Sequence, residues 1–370
     1  MVEITPVNDT SHRDAFIKFP WSIYAGDSKW APPLLIERKE FMDEKKNPFF
    51  EFAEVQHFLA YKNGKLVGRI SAVNDKKYNE FHATKNVGFG MFESIDDVEV
   101  SRALFAKVDE WGRQKGLTTA WGPVSFSTNH ECGLLVDGFG DMPAVMMSYN
   151  PSYYGKLIED AGFAKAHDLW AWDLPATAAV PEKIGRIAEK IREREGITVR
   201  GINMAKWNDE VDLAFQIYNE AWEKNWGFVP MSKKEFYKLA KEMKQIIKPQ
   251  LTLIAEVKGE AAGFSFTIPD VNPAIAKANG RLFPFGLPKM LLALKKCDRA
   301  RLILLGMRAK YRKRGIDAIL YKDTLTKAAE LGFRRGEIGW TLDNNDMVNR
   351  AIESMGGIRS KTYRMYEKAL

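Results

Sequence analysis

The sequence predicts an α/β protein made of two tandem copies of one unit, each a mixed, largely antiparallel central sheet flanked by helices. Three observations predict it. At 370 residues the chain is too long for one average domain. Its second half repeats the order of patterns in its first half, as a repeat of a whole domain and not as a short solenoid period. Each copy also holds a strand that runs through a loop into an apolar helical pattern, as in "LLGMRAKYRKRGIDAIL", Leu304 to Leu320.

The elements follow in order. "VEITPVNDTSHRDAFIKFPWSIY" pairs with "ITVRGINMAKWNDEVDLAFQIYNEAW", each a short alternating segment and then a helix. In the second copy Val211, Ala214, Phe215 and Tyr218 share one helical face. "HFLAYKNGKLVGRISAV" and "LTLIAEVKGEAAGFSFTI" both read as strand, tight turn (Asn63-Gly64, Lys258-Gly259) and strand, so each predicts a β-hairpin. "GFGMFES…ALFAKVDEWGRQKGL" then matches "LLGMRAK…ILYKDTLTKAAELGF", and "NPSYYGKLIEDAGF" matches "NNDMVNRAIESMGG". An aromatic strand closes each copy ("DLWAWDL", "TYRMYEKAL"), so the unit reads β-α-β-β-β-α-β-α-β. Between the copies, 176–196 turns from alanine and proline to a charged helical pattern, a linker helix. The expected domains are therefore 1–175 and 197–370.

Composition excludes several classes. A hydrophobic fraction of 45% and an aromatic fraction of 12% suit a folded core. Cys132 and Cys297 stand far apart and the five histidines are scattered, so no metal site is expected and a reducing compartment is. "MVEITPVNDT" does not read as a signal peptide and no apolar run approaches the ~20 residues of a membrane span, so a soluble, cytoplasmic protein without stable membrane insertion is expected. The net charge of +7 is modest for the length and concentrates in "KKCDRAR", "KYRKRG" and "FRRG". That suits a local anionic ligand better than a nucleic-acid track. Oligomeric state is left open.

The unit order, the strand–loop–helix at Met307 to Leu320 and the ending "WTLDNNDMVNRAIESMGG" resemble the GNAT superfamily of acyl-CoA-dependent N-acyltransferases, over the whole chain. The resemblance implies a pyrophosphate loop of the form Arg/Gln-x-x-Gly-x-Gly/Ala, here Arg312-Lys313-Arg314-Gly315-Ile316-Asp317. Its physics is general: a helix N-terminus offers unpaired N–H groups and a positive dipole end, glycine permits close approach, and basic side chains add charge-assisted bonds. Asp317 departs from the pattern, standing where the superfamily has a small residue. In the first copy the aligned loop is acidic: Asp96 faces Arg312, Asp97 faces Lys313 and Glu99 faces Gly315, while Leu104 stays opposite Leu320. An acidic loop without glycine cannot hold a pyrophosphate, so acetyl-CoA or another acyl-CoA is expected in the second copy alone.

The resemblance also places the thioester beside Met307 and Arg308, where backbone N–H groups polarise its carbonyl. A base must take the amine proton, with Glu337 and Asp270 as candidates; each also reads plainly as a solvated strand-end or turn residue. The superfamily's leaving-group tyrosine falls on Ile352 and is absent, leaving Tyr363 or Tyr366 as substitutes. Asn344 and Asn345 read as helix caps or as contacts to the pantetheine arm. For the acceptor, "NEAWEKNWGFVP" gathers Trp222, Asn225, Trp226, Gly227, Phe228 and Pro230 at a helix exit, a lid or plain core. An excursion with no counterpart in the second half carries Asn129, Glu131 and Asp137, able to recognise an amine or simply packed as a surface loop. The second half has its own insertion, "NPAIAKANGRLFPFGLPKMLLALKKCDRARL", part of which reads as an amphipathic basic helix that could touch a membrane surface or a partner. The simpler expectation packs its Met and Leu residues on the domain.

The expected function is acyl transfer from acyl-CoA to the amine of a small metabolite at the cleft between domains. Alternatives are an aminoacyl-tRNA-dependent transferase of similar tandem build and a non-catalytic CoA-binding module.

Overall fold

The repeat is visible in the order of elements. The computed structural model describes residues 1–175, 181–223 and 225–370. The first half runs β1 (Val2–Pro6), α1 (Thr10–Lys18), α2 (Pro20–Ile23), α3 (Leu35–Phe41), β2 (Ala53–Lys62), β3 (Lys65–Asp75) and α4 (Lys76–His82). It continues with β4 (Asn86–Ser94), α5 (Val98–Gln114), β5 (Thr119–Gly122), β6 (Leu134–Asp137), α6 (Tyr154–Glu159) and β7 (Ala164–Pro175). The second half runs α7 (Glu182–Glu195), β8 (Ile197–Gly201), α8 (Trp207–Trp222), α9 (Lys233–Met243), β9 (Thr252–Val257), β10 (Glu260–Pro269), α10 (Asn272–Ala278) and α11 (Gly286–Leu294). Then come β11 (Arg299–Met307), α12 (Ile316–Glu330), β12 (Arg335–Leu342), α13 (Asp346–Ser354) and β13 (Ile358–Ala369).

Both hairpins form where the turn chemistry predicts. Asn63 and Gly64 take φ of 53° and 73°, Lys258 and Gly259 take 52° and 83°. Two consecutive left-handed residues make the tight turn whose twist matches antiparallel strands.

The chain forms two compact units that do not follow its halves. The first comprises Met1–Leu169, Asn272–Ala293 and Lys361–Leu370; the second comprises Trp170–Val271 and Leu294–Ser360. The expected boundary at 175 and 197 therefore shifts. Residues 176–180 of the expected linker lie outside the described residues, and α7 belongs to the second unit. The insertion helices α10 and α11, and the end of β13, belong to the first.

In the first unit the sheet order is β1-β2-β3-β4-β5 followed by the end of β13. Among the described pairings with a register, β4–β5 is parallel and β1–β2, β2–β3, β3–β4, β5–β13 and β6–β13 are antiparallel; Tyr366 of β13 faces Gly122 of β5 and Tyr363 faces Leu135 of β6. Helix α5 buries Val100, Leu104, Phe105 and Val108 against Ile70, Val87 and Phe89. Spacings of four, five and eight put those residues on one helical stripe. The opposite face of the sheet is covered by Phe16, Phe41, Phe49 and Phe126.

The second unit repeats the plan with β8-β9-β10-β11-β12, antiparallel except for β11–β12. Helix α12 buries Ile316, Leu320, Tyr321, Thr324 and Ala328. These align with Val100, Leu104, Phe105, Val108 and Gly112, the buried positions of α5. The helical register expected from the repeat holds at these five positions, while Ile319 of α12 and Ser101 of α5 are each buried in one copy only.

Candidate active site

The parallel pair β11–β12 holds for only four residue pairs, ending at Leu302 opposite Ile338. Above Leu302 the two strands part, and β11 carries on to Met307 paired only with β10. Along that pairing Phe266 faces Leu304 while Thr267 faces Leu302, so Ile303 is an extra residue, a β-bulge at the fork. Bulges bend a strand and re-aim its backbone groups. The fork leaves the edge of β11 from Ile303 to Met307 without a β12 partner.

At the top of β11 a short 3-10 turn, Ala309–Tyr311, leads into the basic loop. Here the side chains do something other than the sequence suggests. Arg312 donates to the carbonyls of Glu220 and Ala221, at 3.0 and 2.9 Å, capping the C-terminal end of α8. Arg314 pairs with Glu195 at the end of α7, and Lys310 with Glu260 in the hairpin turn. Arg308 donates to Gln216 at 3.2 Å, and Glu220 accepts from the N–H of Ala309 at 2.7 Å. Three of the four basic loop residues are thus held by protein acceptors. Lys313, exposed and with φ of 60°, makes no hydrogen bond or ion pair to any described residue.

Gly315 is the N-cap of α12, with φ of 77° and no side-chain cap. Among the described residues, no acceptor is found for the backbone N–H groups of Lys313, Gly315, Ile316 and Asp317. These are the donors that a helix end presents to an anion. The loop fits a diphosphate through its backbone and Lys313, with the other basic groups shaping the loop. A Cβ on Gly315 would fall 2.5 Å from the Ile191 side chain of α7. The glycine is therefore favoured by its backbone angle, and a side chain there would also have to displace the end of Ile191, so a substitution would disturb more than a bound ligand.

The first unit lacks these features. Asp97 caps α5 by accepting from the Glu99 N–H at 2.9 Å. Lys62 then bridges Asp97 and Glu99 at 2.7 and 2.8 Å. Its hydrogen bonds hold both carboxyls below their usual range. The helix end is filled by the chain's own carboxylate. The first half's excursion also continues the sheet past β5: the Val124 N–H donates to the Phe89 carbonyl at 2.8 Å, and a Cβ on Gly90 would lie 1.7 Å from the Val124 carbonyl. Phe126 stacks between Phe41 and Phe49, with centroids 4.4 and 5.2 Å away. The excursion is core, not a loose loop.

The remaining candidates separate. Glu337 is buried on β12, level with Arg301 and one residue below the fork. Asp270 is buried at the foot of β11, where it accepts from Arg299 Nε at 2.7 Å. Eight residues of strand, roughly 26 Å, separate Arg299 from Met307. Asp270 therefore cannot reach a group beside Met307 or Arg308, and Glu337, level with Arg301 and so roughly 20 Å below Met307, reaches only a carbonyl seated at the fork itself. Ile352 is fully buried in the second unit's core, and Tyr363 and Tyr366 belong to the first unit. Asn345 occupies the N-cap position of α13 but makes no capping bond, and Asn344 is exposed. Phe228 is buried beside Tyr218 and is core, and Trp222, half-buried, packs against that core on Tyr218 and Phe264. Asn225 is exposed and Trp226 half-buried at the turn beyond α8. Asn129 and Glu131 lie in the first unit, Glu131 3.6 Å from Arg38. Neither unit by itself brings them to the fork.

Sequence reasoning missed two buried polar networks. In the first unit Glu93 accepts from Tyr24 and Tyr154, each at 2.8 Å, and from Arg69 at 3.3 Å. Burial pushes the Glu93 carboxyl up, opposed by Arg69. In the second unit Trp172 donates to Thr341, which donates to Asn349, at 2.9 and 2.7 Å. Their members lie far apart in sequence, so no local motif marks them. A surface cavity of about 620 Å³ lies by β8, lined by Arg200, Asn203 and Pro249. It sits three strands from β11 and shares no residue with the fork or the loop.

Among the described residues no group of three or more His, Cys, Asp or Glu side chains could hold a metal ion. No family model matches the chain. It is 39% identical to the bacterial ceramide synthase of Caulobacter vibrioides, over 100% of this chain and 98% of that protein. It is 34% identical to protein YghO of Escherichia coli, over 96% of this chain and 92% of that one. Among solved structures it resembles a tandem GNAT protein from the clavulanic acid biosynthesis pathway, at 11% identity and a TM-score of 0.56, over 100% of this chain and 98% of that one.

Proposed function

Because the chain belongs to the family of the Caulobacter ceramide synthase and E. coli YghO and has the tandem GNAT fold, we propose that it is an acyl-CoA-dependent N-acyltransferase for a long-chain amine. One observation carries the reading: the chain matches a ceramide synthase along its whole length. Ceramides are amides of a fatty acid with a long-chain amino alcohol. In this reading a lipid-like acceptor takes the place of the small polar amine expected from the sequence.

Bound acyl-CoA supplies an activated thioester carbonyl. In this reading the Gly315–Asp317 N–H groups and Lys313 hold its diphosphate, and the open edge of β11 above Leu302 offers backbone donors to the arm and carbonyl. The neutral amine attacks the carbonyl carbon, the C–N bond forms, and the C–S bond breaks. Glu337, below the fork, is the candidate to receive the amine's proton. With isoleucine at 352, the departing thiolate takes its proton from solvent.

The test is turnover by the full chain with palmitoyl-CoA and sphinganine, against glucosamine and spermidine, read by amide mass and thiol release. Amide formation on sphinganine well above the polar amines is expected. Equal or greater turnover of the polar amines would return the acceptor to a small metabolite. Acyl-CoA binding with no turnover would favour a non-catalytic module, the reading that the buried Ile352 supports. Glu337→Gln should lower kcat by about 10²-fold or more with KM little changed. A KM effect alone would remove Glu337 from proton transfer.

A further inference from the structure

The insertion between β10 and β11 leaves four of its large apolar residues exposed. Phe283 is 77% exposed, Phe285 70%, Leu292 64% and Leu291 50%, and α11 has no buried residue at all. Contiguous exposed apolar surface of this kind marks an interaction site more often than a random surface.

The segment is built to present that surface. Ala274 and Ala278 of α10 are buried in the first unit. The Gly280 carbonyl accepts from the Leu35 N–H at 2.9 Å, and Asn279 accepts from the Trp21 indole at 2.9 Å. The loop beyond is closed on itself: Arg281 N–H donates to Ala278 at 3.0 Å and Leu287 N–H to Leu282 at 2.7 Å. Phe283, Pro284 and Phe285 stand at the tip of this closed loop, with the outward leucines of α11 following. Ile36, next to the residue that holds Gly280, is exposed as well.

Charge identifies the occupant. From Asn272 to Lys296 the sequence holds Lys277, Arg281, Lys289, Lys295 and Lys296 and no acidic residue. Among the described residues none of the five forms a salt bridge. Exposed aromatic and leucine side chains on a segment that also carries the exposed cations Lys277, Arg281 and Lys289 of the first unit match the interface of an anionic bilayer, where rings enter the acyl boundary and lysines meet phosphates. A protein partner would need complementary acidic groups that a second copy of this segment does not possess. No helix among the described residues is long and apolar enough to cross a membrane. We propose that the α10–α11 segment docks the protein peripherally on an anionic lipid surface, with Phe283, Phe285, Leu291 and Leu292 inserted. This rests on the exposed segment and not on the proposed acceptor.

The experiment is co-sedimentation of the full chain with vesicles of phosphatidylcholine alone and of phosphatidylcholine with phosphatidylglycerol, at low and high salt. Wild type should bind the anionic vesicles and release partly as salt rises. The variant carrying Phe283→Ser, Phe285→Ser, Leu291→Ser and Leu292→Ser should bind at least about tenfold more weakly. Its melting temperature should be unchanged, since the four side chains are exposed. Lys277→Glu with Lys289→Glu should weaken binding to anionic vesicles only. Absence of wild-type binding, or equal binding by the serine variant, overturns the proposal. So does a wild-type dimer in light scattering that the serine variant dissolves, which would make this face an interface between copies. Because nothing here is read from turnover, failure leaves the acyl-transfer reading standing, and the reverse also holds.

Discussion

Lys313 and Gly315 are not equivalent probes of the proposed diphosphate loop. Gly315 has a left-handed backbone and Ile191 against the place a Cβ would take, so replacing it tests packing as much as binding. Lys313 is the cleaner probe, being exposed and without a protein partner among the described residues. Lys313→Glu should weaken acyl-CoA binding in calorimetry by about tenfold, since a reversed charge near two phosphates acts through a screened, solvent-exposed medium. The melting temperature should not move. Unchanged affinity would mean that the α12 end is not the diphosphate seat. That Gly315 opens the helix was legible from the sequence; which acceptors hold its basic neighbours was not. A basic residue in a sequence does not say whether it faces a ligand or, like Arg312, a helix end 90 residues away.

A second residue-scale effect lies in the first unit. His57 is hydrogen-bonded to Ser71 at 2.7 Å and packed on Phe16, with ring centroids 4.8 Å apart. Burial, and then the nearby Arg69 charge, lowers its pKa from 6.5 to about 3. The native state therefore stays unprotonated where the unfolded chain takes up a proton. Stability contributed by neutral His57 is full above pH 6.5 and falls as the pH drops toward 3. Between pH 8 and pH 5 the loss is at most about 2 kcal/mol, an upper bound because the ring is only half-buried. His57→Gln should flatten that part of the profile in urea unfolding at the two pH values. Equal slopes in both proteins would contradict the assignment.

At the scale of elements, α5 and α12 show how one helix serves two ends. Their buried stripes coincide under the repeat alignment, yet α5 starts two aligned positions earlier and ends its backbone donors on Asp97. Asp97→Ala should cost about 1 kcal/mol of stability through loss of the cap. It should leave acyl-CoA affinity as it was, because in the proposed reading the diphosphate sits at the α12 end and the α5 end is closed by Asp97 and Lys62. A drop in affinity would move the cofactor to the first unit. The stripe was readable because periodicity is local, as were both hairpins. The insertion was read only in part for a related reason: Met290, Leu291 and Leu292 look alike in a sequence, and only the fold reveals that Met290 is half-buried while Leu291 and Leu292 are exposed.

At the scale of the molecule, the repeat was legible and the exchange between its halves was not. An aromatic strand at the chain's end can pair with any open sheet edge, and long-range pairing leaves no local signature. Here the last ten residues belong to the first unit, where Tyr363, Met365 and Tyr366 are almost wholly buried and pair with β5 and β6. Full burial of a large apolar side chain contributes roughly 1.5–3 kcal/mol, so these three amount to about 5–9 kcal/mol. That is comparable to the whole stability of a typical domain. A fragment of residues 1–175, the domain that the sequence suggests, should therefore fail to fold, lacking this strand and α10–α11. Deletion of Lys361–Leu370 from the full chain should abolish the first unit's cooperative melting, while changes at exposed Arg359 should not. Near-UV circular dichroism and calorimetry read both. A 1–175 fragment that melts cooperatively near the wild-type temperature would show that the first unit does not depend on the chain's end.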